Sequence, residues 1–311
     1  MDFDLVDLDA FLTVARAKGF RDGARASGGS ASGLSEAVRR LETRVGVRLL
    51  HRTTRSVVTT EAGQRLLERL GPALGEVRAA VDVLNDFRGR PAGTLRLNVP
   101  VSAARLVLPA IVPPFLAAFP EVRLEVLADD NFVDVLAAGC DAGIRYEERL
   151  EKDMIAVPIG ARKQRFATAA SSAYLDRHGR PRHPRDLLEH QCLSGRFSSG
   201  TKTQWEYERN GRTFRVDPPG PLLVQVGAAT DLLIDAAIRD CGIINLFEDW
   251  LRPHFSSGAL EPVLEPWWQS FSGPYLYYPG RRLLPAPLRA FVDFIKSESN
   301  REALQRRRPA S

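Results

Sequence analysis

Apolar residues at Leu66, Leu70, Ala73, Val77, Ala80, Leu84 and Phe87 alternate in steps of four and three, after a helix-capping Thr60. That spacing predicts one long helix with an apolar seam, and a lone helix in water has nowhere to bury such a stripe. Pairing of the seam with that of a second chain is the expected solution and gives a two-fold dimer. The alternative is packing against the helix's own domain. Pro72 lies inside the pattern and is expected to kink it. The helix splits the chain into a short head and a long body, and Arg88-Gly89-Arg90-Pro91-Ala92-Gly93 reads as the hinge to the body.

In the head, Leu5, Leu8, Phe11, Leu12 and Ala15 recur at helical steps, with Asp4 or Asp7 as cap and an end near Gly19. A second short helix spans 20–26. After Gly28-Gly29, Ser30 caps a third helix that carries Leu34, Val38 and Leu41 on one face. Strands at 47–50 and 56–59 bracket the basic loop His51-Arg52-Thr53-Thr54-Arg55, which reads as a two-stranded wing. Charge follows this layout. Between positions 16 and 55 stand Arg16, Lys18, Arg21, Arg25, Arg39, Arg40, Arg44, Arg48, Arg52 and Arg55, against only Asp22, Glu36 and Glu42. The local surplus of +7 exceeds the +5 of the whole chain. Such a segment attracts a polyanion and releases its counterions.

The body alternates strands and helices: a strand at 95–99, mostly helix at 103–119, a strand at 122–127, a helix at 133–138 and a strand at 142–145. This is βαβ organisation around a mixed or parallel sheet. A second unit spans 165–264, with a hairpin turned at Asn210-Gly211, and the chain returns through a strand at 275–278 and a helix at 288–295.

Leu8-Asp9-Ala10-Phe11, Gly19-Phe20, Ala24-Arg25, Ser35-Glu36-Ala37-Val38-Arg39-Arg40-Leu41-Glu42, Gly46-Val47-Arg48-Leu49-Leu50-His51-Arg52-Thr53-Thr54-Arg55 and Thr60-Glu61-Ala62-Gly63 together resemble the LysR-type transcriptional regulators. The resemblance extends over nearly the whole chain. It implies an all-α winged helix-turn-helix head with a long dimerisation helix, plus an α/β two-lobed effector domain similar to periplasmic solute-binding proteins. The implied boundaries are a DNA-binding domain at 1–60 and a linker helix with hinge at 61–92. The effector domain follows at 93–298, with lobe I at 93–160 and 269–298 and lobe II at 161–268, and a disordered tail at 299–311. The lobes are expected to be joined by crossing strands near Ile159-Gly160-Ala161 and Pro266-Trp267-Trp268.

In that family the third helix enters the major groove and the wing reaches the neighbouring backbone or minor groove. The resemblance therefore assigns base-facing positions to Ala31, Ser32, Ser35, Glu36 and Arg39. It assigns phosphate contacts to Arg52, Thr53 and Arg55, with the helix start at Ser30 offering backbone amides. Ser27 and Gly29 stand where members usually place apolar residues; a Ser27 buried without a partner would cost about 1–3 kcal/mol. The effector is expected between the lobes, at Ser102, Asp129, Asn131, Arg145, Tyr146, Phe197, Thr230 and Phe247. Strand ends and helix starts favour an anionic or aromatic small molecule there. Arg145 could hold a carboxylate and Tyr146 flank a ring, or each could be structural.

Hydrophobic residues make up 44% and charged residues 26%, a globular balance. The acidic start lacks a signal sequence, and the apolar tract at 106–119 is broken by Pro109, Pro113 and Pro114, so a cytoplasmic protein without membrane spans is expected. Cys140, Cys192 and Cys241 have no ligand spacing and read as reduced thiols, Cys140 and Cys241 as buried ones. The sequence carries no HExxH, phosphate-binding loop, GxGxxG or GxSxG, and His51, His178, His183, His190 and His254 show no metal spacing. Enzyme, metal and cofactor are therefore not expected. A free solute receptor would need export. The expected partners are double-stranded DNA, the effector, RNA polymerase and further copies of the chain, as a dimer or a dimer of dimers.

Overall fold

The structure, a computed structural model, describes residues 4–52, 57–86, 90–130, 139–146, 154–197, 199–227, 229–280 and 284–306; side chains at 76, 78–86 and 298–306 lie outside that description.

The head opens with α1 (Leu5–Ala17), whose cap Asp4 accepts the Val6 amide at 2.9 Å. α2 (Phe20–Ser27) ends at Gly28 in the left-handed region, and α3 (Ala31–Val45) starts at Ser30, whose hydroxyl accepts the Gly33 amide at 3.1 Å. Both caps do what their residue types do at helix ends, taking amides the helix leaves unpaired. Phe11, Leu12, Val14, Val38, Leu41, Leu49 and Leu50 form the head's core. The wing pairs β1 (Leu50–Arg52) with β2 (Val57–Thr59), His51 opposite Val58. The expected strand began at 47. It begins at Leu50 because Glu42 Oε1 takes the amides of Leu49 at 2.9 Å and Leu50 at 3.0 Å, tying the approach to α3 rather than to a strand.

Thr60 Oγ1 accepts the Gly63 amide at 3.0 Å and starts α4 (Glu61–Asp86). A Cβ on Gly63 would overlap the Leu49 carbonyl oxygen, so the helix can leave the wing this closely only with glycine there. The seam is divided. Leu70 is buried and Leu66 partly buried against the head's own core, together with Leu67 and Leu74, because that stripe faces α1. Leu66 and Leu70 thus pack within the chain, the alternative to pairing with a second one. Ala73 is exposed and Val77 is 45% exposed. Of the remaining seam positions, Ala80 and Leu84 have no described side chains, and Phe87 lies outside the described residues.

Lobe I is built on β3 (Gly93–Val99), α5 (Val101–Leu106), α6 (Leu108–Ala118), β4 (Val122–Ala128), β5 (Ala142–Arg145) and β6 (Met154–Pro158). The expected single helix breaks at Val107, where Pro109 cannot donate to the carbonyl four residues back. The helix expected at 133–138 lies outside the described residues.

Lobe II follows with β7 (Lys163–Ala170), α7 (Ser172–His178), β8 (Cys192–Arg196), β9 (Trp205–Arg209), β10 (Arg212–Val216), β11 (Leu223–Gln225), α8 (Thr230–Ile238), β12 (Ile243–Phe247), α9 (Glu248–Ser256), β13 (Glu261–Val263) and β14 (Ser270–Ser272). The chain then returns to lobe I through β15 (Tyr275–Pro279) and α10 (Ala286–Arg306). The lobe I sheet has the order β4-β3-β5-β15-β6, with β3 parallel to β4 and β5 and with β15 antiparallel to its neighbours. The lobe II sheet has the order β11-β8-β12-β7-β13, with β14 also on β7. At the β9–β10 turn Asn210 and Gly211 have φ of 53° and 72°, as a two-residue hairpin loop needs.

At the first crossing the Ile159 amide bonds to Pro274 O at 3.0 Å. The second lies further along the chain than Pro266-Trp267-Trp268. Trp267 is buried in lobe II with Nε1 donating to Arg182 O at 3.1 Å, and β14 still pairs with β7, so lobe II keeps the chain through Ser272 and the crossing is at Gly273-Pro274. There the Gly273 amide donates to Arg162 O at 2.9 Å, and a Cβ on Gly273 would overlap Ala161 O. The last helix buries Leu288, Phe291, Val292 and Ile295 in lobe I and runs on to Arg306, past the expected start of the tail. Cys140 and Cys192 are buried, whereas Cys241 is exposed in the turn after α8, contrary to the expectation. Among the described residues no helix is long and apolar enough to cross a membrane, and no group of three His, Cys, Asp or Glu could hold a metal ion.

Candidate nucleic-acid interface and effector cleft

Ala37, Val38 and Leu41 turn one side of α3 into the head's core, which leaves Ser32, Glu36 and Arg39 exposed on the opposite side. Ser30 is exposed at the helix start, and Ala31 and Ser35 are half-buried on the flanks. Ser35 Oγ receives Arg52 Nη1 at 3.2 Å, and Arg52 Nη2 also meets Glu42 Oε2 at 3.0 Å. The same guanidinium stands 5.0 Å from the Phe20 ring centre. The expected phosphate contact is thus anchored on the reading helix while its side chain stays 34% exposed. Thr53 and Arg55 lie outside the described residues. Part of the basic surplus is internal: Arg40 holds buried Asp7 at 2.7 Å and approaches Glu36 at 3.8 Å, and Arg25 pairs with Asp22 at 3.3 Å. Asp7 raises the Arg40 pKa through that hydrogen bond. Ser27 is exposed rather than buried, so the desolvation cost does not arise; with Gly29 it lines an apolar groove of about 560 Å³ beside Leu5, Val6, Leu34 and Leu74.

In the sensor, the strand order reverses between β3 and β5, and such a reversal opens a crevice at the strands' C-terminal ends. Ser102 and Tyr146 meet there, Tyr146 Oη donating to Ser102 Oγ at 3.3 Å. Burial pushes the Tyr146 hydroxyl up to about 12, against the hydrogen bonds of Ser102 and Gln164, so it stays protonated. From lobe II, Phe247 brings its ring centre to 5.6 Å from that of Tyr146 and Phe271 to 6.1 Å. Phe166 stands 4.8 Å from Phe247 and 5.1 Å from Phe271, and Trp250 stands 6.3 Å from Phe247. An aromatic group therefore fills the space between the lobes. Edge-tilted and offset rings at these distances attract one another beyond their area burial.

Charged residues surround this group in committed pairs. Arg105 of α5 bonds Asp231 of α8 across the lobes and lies 5.2 Å from the Trp250 ring centre. Arg165 is bidentate to Glu248 at 2.8 Å. Arg145 donates to Ile144 O at 2.7 Å and to both the carbonyl and the side-chain oxygen of buried Asn98, which makes it a brace of lobe I rather than an open carboxylate clamp. Asp130 accepts the Val101 amide at 3.1 Å and lies against Gly227 of lobe II; burial first, then Asp129, raises its pKa. Asp129 is half-buried beside it, its amide bonded to Val99 O at 2.9 Å.

Thr230 is buried, its hydroxyl taking the Gly227 amide at 3.2 Å at the start of α8. Phe197, 39% exposed in the turn after β8, has no ring contact with the aromatic group among the described residues. Asn131 lies outside them. The structure thus brings together Ser102, Tyr146 and Phe247. Sequence reasoning missed Arg105, Asp130, Gln164, Phe166, Trp250 and Phe271. The period-two run Gln164, Phe166, Thr168 on one face of β7 was the available signal.

Residues 5–64 match the family model described as the bacterial regulatory helix-turn-helix protein, lysR family, and residues 88–300 match the LysR substrate binding domain. The chain is 37% identical over 309 residues to the HTH-type transcriptional regulator YcaN of Escherichia coli, covering 99% of this chain and 100% of that protein. It is 37% identical over 294 residues to the regulator PgrR of the same species, covering 94% and 97%. The full-length structure of the Vibrio cholerae virulence activator AphB superposes with a TM-score of 0.62 at 22% identity, covering 94% of this chain and 99% of that one. With both halves of the fold and nearly the whole length of close relatives accounted for, the chain belongs to the LysR-type transcriptional regulators.

Proposed function

We propose that the chain binds a two-fold DNA site through the outer face of α3, as a homodimer or a dimer of dimers, and that a small molecule between the lobes governs how it does so. The carrying observation is a physical continuity. The exposed Ser32, Glu36 and Arg39 stand on a head whose Arg16 lies against Gly139 of lobe I, where a Cβ would overlap the guanidinium. Lobe I in turn meets lobe II through Arg105–Asp231 and Tyr146–Phe247. A change in lobe closure therefore moves lobe II relative to the lobe on which the head rests. A ligand that binds the closed and open arrangements unequally shifts their balance by that difference in affinity. Altered spacing of paired heads on DNA changes recruitment of RNA polymerase without any chemistry on the ligand, and neither enzyme activity nor a cofactor is part of this reading.

Footprinting on sites selected from random duplexes tests it. The reading expects two half-sites about one or more helical turns apart, with a protection pattern that changes when a cleft ligand is added. A pattern identical with and without every ligand that demonstrably binds the cleft would overturn the regulatory part.

A further inference from the structure

We infer that the cleft takes an uncharged aromatic molecule bearing a hydrogen-bond donor, such as a phenol, and rejects carboxylates; this rests on the reading of the cleft as the effector site. Three sets of observations point the same way. The first is shape: Tyr146 of lobe I faces Phe247 and Phe271 of lobe II, both of which also contact Phe166, and a flat ring entering between the lobes meets aromatic rings of both.

The second is charge. Arg105 is paired to Asp231 and Arg165 to Glu248, while Arg145 is bonded to Asn98 and Ile144 and lies 5.8 Å from the Tyr277 ring centre. Asp130 feels both Asp129 and Arg145, and the carboxylates of Asp130 and Asp249 both act on the Tyr146 hydroxyl. An incoming carboxylate would have to displace an existing partner and face these like charges.

The third is an unsatisfied hydrogen-bond position. Gln164 is 6% exposed, it acts on the Tyr146 hydroxyl, and its Oε1 has no partner among the described residues. A buried acceptor left unbonded calls for a donor. Ser102, whose oxygen already accepts from Tyr146, keeps its own proton free to donate to the ligand oxygen. A phenolic hydroxyl satisfies both at once.

Binding of phenol, toluene, benzoate and benzylammonium to the purified full-length protein, followed by isothermal calorimetry and by the indole N–H resonances, tests the inference. Phenol is expected to bind at least about tenfold more tightly than toluene and than either charged probe. Gln164→Leu, which removes the unpaired oxygen without removing bulk, is expected to erase the phenol-over-toluene preference while toluene still binds. Phe247→Ala is expected to weaken both rings. Benzoate equal to or tighter than phenol, no saturable binding of any ring, or an unchanged phenol preference in Gln164→Leu would overturn the inference. The two readings fail separately. A phenol that binds with the expected Gln164 dependence but leaves the DNA footprint unaltered sinks the effector reading alone. A benzoate that binds better and alters the footprint sinks the ligand class alone.

Discussion

Arg52 on the wing donates from Nη1 to the hydroxyl of Ser35 on the reading helix across 3.2 Å. One guanidinium therefore joins the two elements proposed to meet DNA, and its second nitrogen is held by Glu42 at 3.0 Å. A wing arginine placed this way presents its remaining exposed edge to a phosphate with little rotamer freedom left to lose, which makes the contact preorganised.

Arg52→Ala is accordingly expected to weaken binding to all duplexes alike and to flatten the plot of log affinity against log salt by about one unit of slope. Ser35→Ala is expected to change base preference. Because the two side chains share a bond, the double variant should lose less than the two single losses added together. Affinities measured across a salt series on preferred and scrambled duplexes give all three answers, and strict additivity would show that the bond does not matter on DNA.

Glu42 accepts the amides of Leu49 and Leu50 as well as Arg52. Glu42→Ala leaves two partly buried N–H groups without a partner and is expected to destabilise the head by about 1–3 kcal/mol. Hydrogen exchange should show loss of protection at those two amides before any change in the sensor.

At the lobe crossing, Gly273→Ala places a methyl group against Ala161 O. The strands must part to admit it, and overpacking of this kind costs about 1–3 kcal/mol. Thermal unfolding of the sensor should begin at lower temperature than in the wild type. An unchanged melting curve would mean that the crossing yields freely.

His190 is buried in lobe II with Nδ1 3.3 Å from the Tyr174 hydroxyl; burial, then the nearby His178, lowers its pKa. A histidine whose folded pKa is depressed binds its proton more readily when unfolded. Its stabilising contribution is thus complete above the unfolded value, about 6.5, and is lost as the pH falls through the window below it toward the folded pKa. Stability of the sensor measured from neutral to mildly acidic pH should decline in the wild type, and His190→Gln should flatten that part of the profile.

Much of this was legible in the residues. Ser30, Thr60 and the Asn210-Gly211 turn act locally, so their types alone place helix starts and a hairpin, and the apolar face of α3 leaves its outer face by subtraction. What escaped was set by distant partners. Leu66 and Leu70 read as a dimer seam because a heptad stripe does not say which surface it meets, and here α1 is the nearer one. Arg145 read equally as a carboxylate contact or a structural residue, and Asn98, forty-seven positions earlier, decides for the second. The second crossing was misplaced since Trp267 reads equally well as crossing or core until Arg182 O is seen beside its indole N–H. Phe271 sits alone between serines, and only pairing of β14 with β7 brings it beside Phe166.

The account stands on contact between DNA and the outer face of α3. The most direct measurement is the affinity of the purified chain for its selected duplex over a salt series, beside Arg39→Ala. Tight binding at low salt is predicted, falling roughly tenfold or more between about 50 and about 200 mM and weakened by the Arg39 change. No measurable affinity for any duplex at low salt, with or without a cleft ligand, would contradict it.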